Sequence, residues 1–239
     1  MGRAGPRAAV NRFWTNVGVK QEGSGWTIEL DGRQVKTPAR VTLELPSEAL
    51  GKAVAEEWRA VGDRVDPRAM PLTGFGNAAI DRVAPQRQMF AQSLANYAEA
   101  DLACYRADGP SELVRRQEKH WDKLLDWARR RYDVDFATTS GLMHVAQPPA
   151  TVAQLAQAVS VLDPFQLAGM SPLVTIGGSL IAALAVFEKA IAPAEAWEAV
   201  SIDERWQLEQ WGADAEAEAA LENRRRDFLA AARFLDLLN

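Results

Sequence analysis

The spacing of apolar residues changes once along this chain, near Pro71, and that change constrains the fold more than any other feature. Between Phe13 and Pro46 apolar residues occupy alternate positions, which is typical of strands with one buried face. The alternating residues are Val17, Val19, Trp26, Ile28, Leu30, Val41, Leu43 and Leu45. Asp31 and Gly32 separate two of these runs, and Asp-Gly favours a tight hairpin because glycine accepts positive φ. The sequence therefore predicts a small antiparallel sheet.

One amphipathic helix is predicted to cover that sheet. Ser47 is a favourable N-cap, and the apolar residues that follow it recur at helical spacing. These residues are Leu50, Val54, Trp58 and Val61. Pro67 and Pro71 then interrupt regular structure in the segment GDRVDPRAMPLTGFG, which predicts a passage between two domains.

Helical spacing dominates the rest of the chain. Helices are predicted at 75–83, after Pro85, from Leu113 to Tyr132, and near 151–161, 172–190, 193–200, 201–212 and from 214. Ser201 and Glu204 match a capping box, and Gly212 is a favourable helix end. We therefore predict an α+β protein. In it, a small antiparallel β domain with a covering helix (residues 1–70) precedes a larger all-α helical domain (residues 71–239).

Charge and cysteine content limit the partners and the compartment. The net charge is −5, which argues against nucleic acid as a partner because phosphates attract basic surfaces. Cys104 is the only cysteine, which excludes an internal disulfide and is typical of a reducing compartment. The basic N-terminal stretch MGRAGPRAAVNRF lacks the apolar run of a secretory signal and is interpreted as a tail.

One uncharged stretch, residues 164–187, is long enough to cross a bilayer. Ser171-Pro172 is typical of a helix start, and Gly177-Gly178 weakens the middle of the stretch. The continuous apolar helix that remains is too short to span. We therefore predict a buried core helix here and no integral membrane segment.

Groups that could carry chemistry are sparse. Gly74, Gly76 and Ala79 match a relaxed dinucleotide fingerprint, but prolines stand where that motif needs a strand. His120 and His144, the only histidines, lack the spacing of a zinc site. Neither a Walker loop nor a nucleophile elbow of the form GxSxG occurs. We expect no enzymatic activity, no bound cofactor and no metal site.

An acidic stretch near the C-terminus holds the most unusual group of residues. Residues 201–222 contain seven carboxylates and one arginine, a local charge of −6. Most of these carboxylates fit a solvated helix face. Glu209 differs because it stands between Trp206 and Trp211 in the sequence. It is either a buried acceptor that orients an indole or an interface charge between aromatic anchors.

The chain resembles a known family, the assembly chaperones for the alpha subunit of the F-type ATP synthase catalytic sector. The resemblance covers nearly the whole chain, and several separate motifs occur in the same order. The motifs are Arg12-Phe13-Trp14, Leu30-Asp31-Gly32-Arg33, Thr37-Pro38, Leu45-Pro46, Glu56-Glu57-Trp58, Met70-Pro71-Leu72-Thr73, Ile80-Asp81, Asp101, Tyr105-Arg106, Gln117, Trp121, Trp127 and Gln207-Leu208-Glu209-Gln210-Trp211-Gly212.

This resemblance implies a β-rich N-terminal part, a helical C-terminal part and one partner, the free alpha subunit. It implies a chaperone that prevents aggregation of this subunit until the beta subunit replaces it. An acidic residue of the C-terminal helices is implied to be functional, and Glu209 is the best match, followed by Glu204. We therefore predict that Glu204, Trp206, Glu209 and Trp211 bind the client protein.

Two further expectations concern the free protein. The free protein is expected to be a monomer, and it is expected in a bacterial cytoplasm because the long basic leader of the mitochondrial members is missing. The main alternative is a protein that binds a small molecule or cofactor, without hydrolysis, in a pocket between the two domains. A second alternative is a membrane-anchored scaffold that uses residues 164–187.

Overall fold

A small antiparallel sheet opens the fold. The computed structural model describes residues 11–141, 143–212 and 214–238, so most of the predicted N-terminal tail lies outside it. The strands are β1 (Val17–Glu22), β2 (Gly25–Leu30), β3 (Arg33–Gln34) and β4 (Glu44–Leu45). β2 pairs with β1 along one edge and with β3 and β4 along the other. Asp31 and Gly32 adopt φ of 48° and 77° between β2 and β3, which confirms the predicted hairpin.

Helices make up most of the remaining chain. They are α1 (Glu48–Arg59), α2 (Pro71–Ala78), α3 (Arg87–Ala95), α4 (Ser111–Gln117), α5 (Lys123–Tyr132), α6 (Pro149–Ser160), α7 (Pro164–Gly177), α8 (Leu180–Phe187), α9 (Pro193–Val200), α10 (Ile202–Trp211) and α11 (Ala215–Asp236). A π-helical segment, Glu118–Asp122, joins α4 to α5. The short strands β5 (Tyr105–Arg106) and β6 (Thr139–Ser140) pair in parallel. The predicted α+β class is confirmed.

Helix α1 covers the sheet, as the sequence predicts. The hydroxyl of Ser47 accepts the Leu50 backbone N–H at 3.1 Å, so Ser47 caps the helix. Leu50 and Val54 are fully buried beneath it. Gly51 allows a close approach to the sheet, since a Cβ at this position would lie 3.2 Å from the side chain of Trp26. Absence of a side chain at Gly51 therefore sets the distance between helix and sheet.

Two apolar cores, one under the sheet and one among the helices, meet at Phe234 of α11. Phe234 is fully buried and belongs to the sheet core, while its neighbour Leu235 belongs to the helical core. The Phe234 ring lies 5.3 Å from the Phe75 ring and 6.5 Å from the Phe165 ring. Helix α11 thus fastens the C-terminal helices to the sheet. The domain boundary between residues 70 and 71 stays a prediction.

The uncharged stretch 164–187 forms two buried helices, α7 and α8. The predicted helix start at Pro172 is wrong, because Asp163 and Gln166 form a capping box that begins α7 at Pro164. Gly178, with φ of 65°, ends α7, and Ser179 caps α8. Among the residues that the structure describes, no helix combines the length and the apolar character needed to cross a membrane.

Asp101 fixes the start of α8 from inside the protein. Its carboxylate is fully buried and accepts the Ser179 hydroxyl at 2.7 Å and the Ile181 N–H at 3.0 Å. It also accepts the Ala103 N–H at 3.0 Å. Burial raises the pKa of Asp101 from 3.8 to about 6, although these hydrogen bonds oppose the rise. The carboxylate therefore organises the chain reversal before α8 at an electrostatic cost.

We predict that Asp101→Asn destabilises the protein by about 2 to 3 kcal/mol near pH 4, because an amide NH₂ places two N–H donors among buried donors, whereas the carboxyl group, protonated at this pH, places one. The folded state raises the pKa of Asp101, so its contribution to stability is complete below its ordinary pKa and falls as the pH rises through about 6. The difference in the free energy of unfolding between Asp101→Asn and wild type should therefore narrow by about 2 kcal/mol between pH 4 and pH 7. Urea unfolding at several pH values measures this difference.

The exposed Asp227 provides the control for this measurement. Asp227→Asn should have the same free energy of unfolding as the wild type at every pH from 4 to 7. A constant difference between Asp101→Asn and wild type from pH 4 to pH 7 would contradict the assigned direction of the pKa shift.

Candidate functional site

Helix α10 carries the residues that the sequence singles out, and it is anchored at its N-terminal end. Trp121, after α4, donates its indole N–H to the Ala199 carbonyl at 2.7 Å, which fixes the end of α9. The predicted capping box at Ser201 is wrong. The Ser201 hydroxyl donates to the Trp197 carbonyl at 2.7 Å, one turn back in α9, so it is not available to cap α10. Ile202 and Trp206 bury one side of α10.

Arg116 of α4 connects Trp206 to Glu209. Its guanidinium lies 4.8 Å from the centre of the Trp206 ring, in a cation–π contact. The same group forms ion pairs with Glu209 at 2.6 Å and with Glu112 at 2.8 Å. Hydrogen bonds to these two carboxylates raise the pKa of Arg116. Glu209 therefore reaches the Trp206 indole through an arginine, which is an arrangement that neither interpretation of the sequence anticipated.

Gln117 forms a second connection between α4 and α10. Its side chain is 1% exposed, and its amide donates to Asp203 Oδ1 at 2.7 Å. Its carbonyl oxygen accepts the Ala107 N–H at 2.8 Å. Burial raises the pKa of Asp203, which the Gln117 hydrogen bond opposes. One glutamine thus ties the loop after β5 to the first turn of α10.

A groove of about 740 Å³, which we call groove A, lies between this loop, α4 and α10. Its apolar lining residues are Leu102, Ala107, Pro110, Leu113, Trp206 and Trp211. A second groove of about 440 Å³, groove B, lies between α10 and the start of α11. Its apolar lining residues are Leu208, Trp211, Ala217, Ala220 and Leu221. Both grooves are built from the C-terminal helical region, not from a junction with the sheet.

The four predicted client-binding residues occupy different places around α10. Trp206 is buried and Trp211 is 82% exposed, and both line groove A. Glu204 lines groove B and forms an ion pair with Arg224 at 2.6 Å. Glu209 lies outside both grooves, in a cleft of about 90 Å³ with His120 and Arg205. The structure therefore brings the two indoles together and separates Glu209 from Trp211.

Sequence reasoning missed Asp108, Gln117 and Asp203 as parts of this site. All three residues line groove A, and the Gln117 amide donates a hydrogen bond to Asp203. A signal for Gln117 was present, since a glutamine occupies the apolar stripe of its helix together with Leu113 and Trp121. A polar residue on a buried face needs a hydrogen-bond partner. The identity of that partner, 86 residues away, is a property of the fold.

The described residues give little evidence for a metal site or for an activated nucleophile. Within them no group of three or more His, Cys, Asp or Glu side chains converges as metal ligands would. Burial raises the pKa of the Cys104 thiol to about 12, so it stays protonated at neutral pH and is a poor nucleophile. His120 has its pKa lowered, first by burial and then by Lys119 and Lys123.

We predict that Gln117→Leu lowers the free energy of unfolding by about 2 kcal/mol, because Ala107 N–H and the Asp203 carboxylate both lose a buried partner. Urea denaturation followed by circular dichroism measures the loss. Gln154→Leu, at an exposed position of α6, is the matched control and should behave as wild type. Equal unfolding midpoints for Gln117→Leu and the control would show that Gln117 does not hold α10 in place.

Comparison with known proteins identifies the family. The model of the ATP12 chaperone protein family matches residues 11–129. The crystal structure of Atp12 from Paracoccus denitrificans is 44% identical and has a TM-score of 0.91, with 96% of this chain and 98% of that chain covered. A crystal structure of an Agrobacterium tumefaciens protein is 37% identical, with a TM-score of 0.91 and coverage of 97% and 87%.

A more distant relative is the mitochondrial protein atp12 of Schizosaccharomyces pombe. It is 23% identical over 219 residues, which cover 87% of this chain and 75% of the relative. The two bacterial structures therefore match nearly the whole length of this chain. This chain belongs to the ATP12 chaperone family.

Proposed function

We propose that this protein is a chaperone of ATP synthase assembly that binds the free alpha subunit of the catalytic sector. It keeps that subunit from aggregating until the beta subunit replaces it. The observation that carries the proposal is the 82% exposed Trp211, which stands between two open grooves in a member of a chaperone family. Large exposed apolar side chains beside concave surfaces are typical of protein-binding sites.

The physical requirement on such a chaperone is moderate affinity. An alpha subunit that has not met its beta partners exposes apolar surface that normally lies in a large subunit contact. Covering that surface prevents aggregation, but the chaperone must leave when beta arrives. A dissociation constant from roughly micromolar to tens of nanomolar, about −8 to −10 kcal/mol, satisfies both conditions.

The four predicted client-binding residues are proposed to make different contributions to client binding. Trp206 and Trp211 supply apolar contact area in groove A, and Glu204 contributes to the edge of groove B. Glu209 is proposed to contribute from the side, since its 43% exposed side chain is accessible to a partner while it is paired with Arg116. Binding needs no bond to be made or broken in this mechanism, so we propose a protein that is not an enzyme.

The state and location of the free protein belong to the same proposal. A monomer leaves the surface around α10 available to the client. The relatives with solved structures come from bacteria, which supports a bacterial cytoplasm, whereas the yeast relative is named as mitochondrial.

The first test is aggregation of the client. Purified alpha subunit diluted from denaturant should scatter light strongly alone and should scatter at least several-fold less with an equimolar amount of this protein. Purified beta subunit should displace this protein from alpha, as followed by size-exclusion chromatography, while light scattering stays low, because beta covers the same surface. Unchanged light scattering in the presence of the protein would refute the proposed function.

A second prediction concerns the charge at Glu209. Glu209→Lys should leave the circular dichroism spectrum unchanged, because the side chain is partly exposed, and should reduce capture of the alpha subunit about tenfold. Glu56→Lys is the matched control, since it also removes an arginine partner, Arg59, but on helix α1. Capture by this control should equal that by wild type.

The variant Arg116→Gln separates two roles of Glu209, because it removes the cation that lies over Trp206 and leaves the Glu209 carboxylate in place. If the client contacts the charge of Glu209, Arg116→Gln should capture the alpha subunit as well as wild type. If Glu209 only holds Arg116 against Trp206, Arg116→Gln should lose capture as Glu209→Lys does, and Glu209 is not a client contact. Unfolding of Glu209→Lys would assign Glu209 to the stability of the fold.

A further inference from the structure

The last turn of α10 is a ridge between two grooves. Trp211 lines groove A on one side of the helix and groove B on the other. Gln207, one turn earlier, also lines both. Gly212 follows with φ of 86° and turns the chain away, so nothing in the described part of the loop covers the indole. A partner that touches Trp211 from both sides must therefore enclose the ridge.

Groove A combines apolar walls with two carboxylates, Asp108 and Asp203, that form no salt bridge with a described lysine or arginine. Asp203 is partly buried and accepts the Gln117 amide, whereas Asp108 is exposed. Arg106 also lines the groove; one of its terminal nitrogens pairs with Asp122 at 2.6 Å, and the other is buried without a hydrogen-bond partner among the described residues. A partly buried carboxylate without a cation is costly, so a cation supplied by a partner lowers the cost at Asp203 and is attracted by Asp108.

Groove B has a different chemical character. Leu208, Ala217 and Leu221 form its apolar surface. The charge of Glu204 at its edge is compensated by Arg224 at 2.6 Å, and Asp214, which also lines this groove, accepts the Glu216 N–H at 3.0 Å as the N-cap of α11. A volume of about 440 Å³ accommodates one or two bulky apolar side chains. Groove B therefore suits an apolar group, whereas groove A suits an apolar group together with a positive charge.

We propose that the client segment straddles helix α10, with an apolar side chain in groove B and an apolar residue next to a lysine or arginine in groove A. The Trp211 indole is then held between the two parts of the segment. This inference rests on the proposed function, since the segment belongs to the exposed surface of the free alpha subunit. It adds the chemistry of that segment and the two-sided mode of contact.

A second copy of this chain is a poor occupant of the grooves. Residues 201–222 carry a local charge of −6, so a symmetric contact would bring two acidic surfaces together. Like charges placed across an interface oppose association. The uncompensated carboxylates of groove A instead complement a basic segment on a different protein. Charge therefore selects a heterologous partner.

Three variants test the two-sided contact, each measured as the concentration that halves light scattering by the alpha subunit. Trp211→Ala removes the ridge and should raise that concentration about 30-fold, as for a central aromatic anchor. Asp108→Lys reverses a charge in groove A, and Ala217→Glu fills groove B. Each of these two substitutions should raise the concentration that halves light scattering about tenfold. All three changes lie at exposed or partly exposed positions, and thermal unfolding checks the fold.

Matched controls sit on surfaces away from α10. Met89→Ala removes another exposed apolar side chain, and Asp63→Lys reverses another exposed carboxylate near the sheet. Both should protect the alpha subunit as well as wild type. Combining Trp211→Ala with either groove variant should weaken protection by less than the product of the separate effects, because the indole forms a wall of both grooves.

The outcomes separate this inference from the proposed function. Wild-type protein that fails to protect the alpha subunit refutes the function itself. Protection by wild type that is insensitive to either Asp108→Lys or Ala217→Glu overturns the straddling mode and leaves the function standing. Sedimentation that shows a dimer lost in Trp211→Ala would also overturn it, because a second copy would then occupy the ridge.

Discussion

The packing of helix α11 against two cores is the contact on which the rest of the structure depends. Its C-terminal half places Phe234 between the sheet and the helical region, where the rings of Phe75 and Phe165 meet it. Its N-terminal half forms one wall of groove B. A single helix of 22 residues therefore connects the interior of the protein with the surface proposed to bind the client. A substitution that shifts this helix is therefore expected to change both the stability of the protein and the shape of groove B.

Local sequence signals predicted the sheet, its hairpin and the covering helix, because each depends on neighbouring residues. Asp31-Gly32 and Ser47 act within a few positions of themselves. The errors occurred where two local signals competed. Pro172 is typical of a helix start, but the capping box at Asp163 begins the helix eight residues earlier. Ser201 resembles a cap, but its hydroxyl is used by the preceding helix.

The candidate site was only partly predictable for a different reason. The sequence indicated that Trp206 and Trp211 are unusual, but an indole can be buried or exposed with the same spacing. Their difference arises because the Arg116 guanidinium of α4 lies over the Trp206 ring, whereas no described residue covers Trp211 at the end of α10. The Gln117–Asp203 hydrogen bond joins residues far apart in the chain, so no local pattern reports it. The family resemblance indicated the proposed partner, whereas the grooves became visible only in the structure.

Gly212 gives the surface a property that its side chains do not. With φ of 86°, this residue adopts a backbone conformation that residues with side chains rarely adopt, and the chain leaves α10 at this point. Helix α11 then lies beside α10, where Arg224 pairs with Glu204 at the edge of groove B. A substitution at Gly212 would therefore change groove B through the course of the backbone, even though a side chain at this position would meet open space.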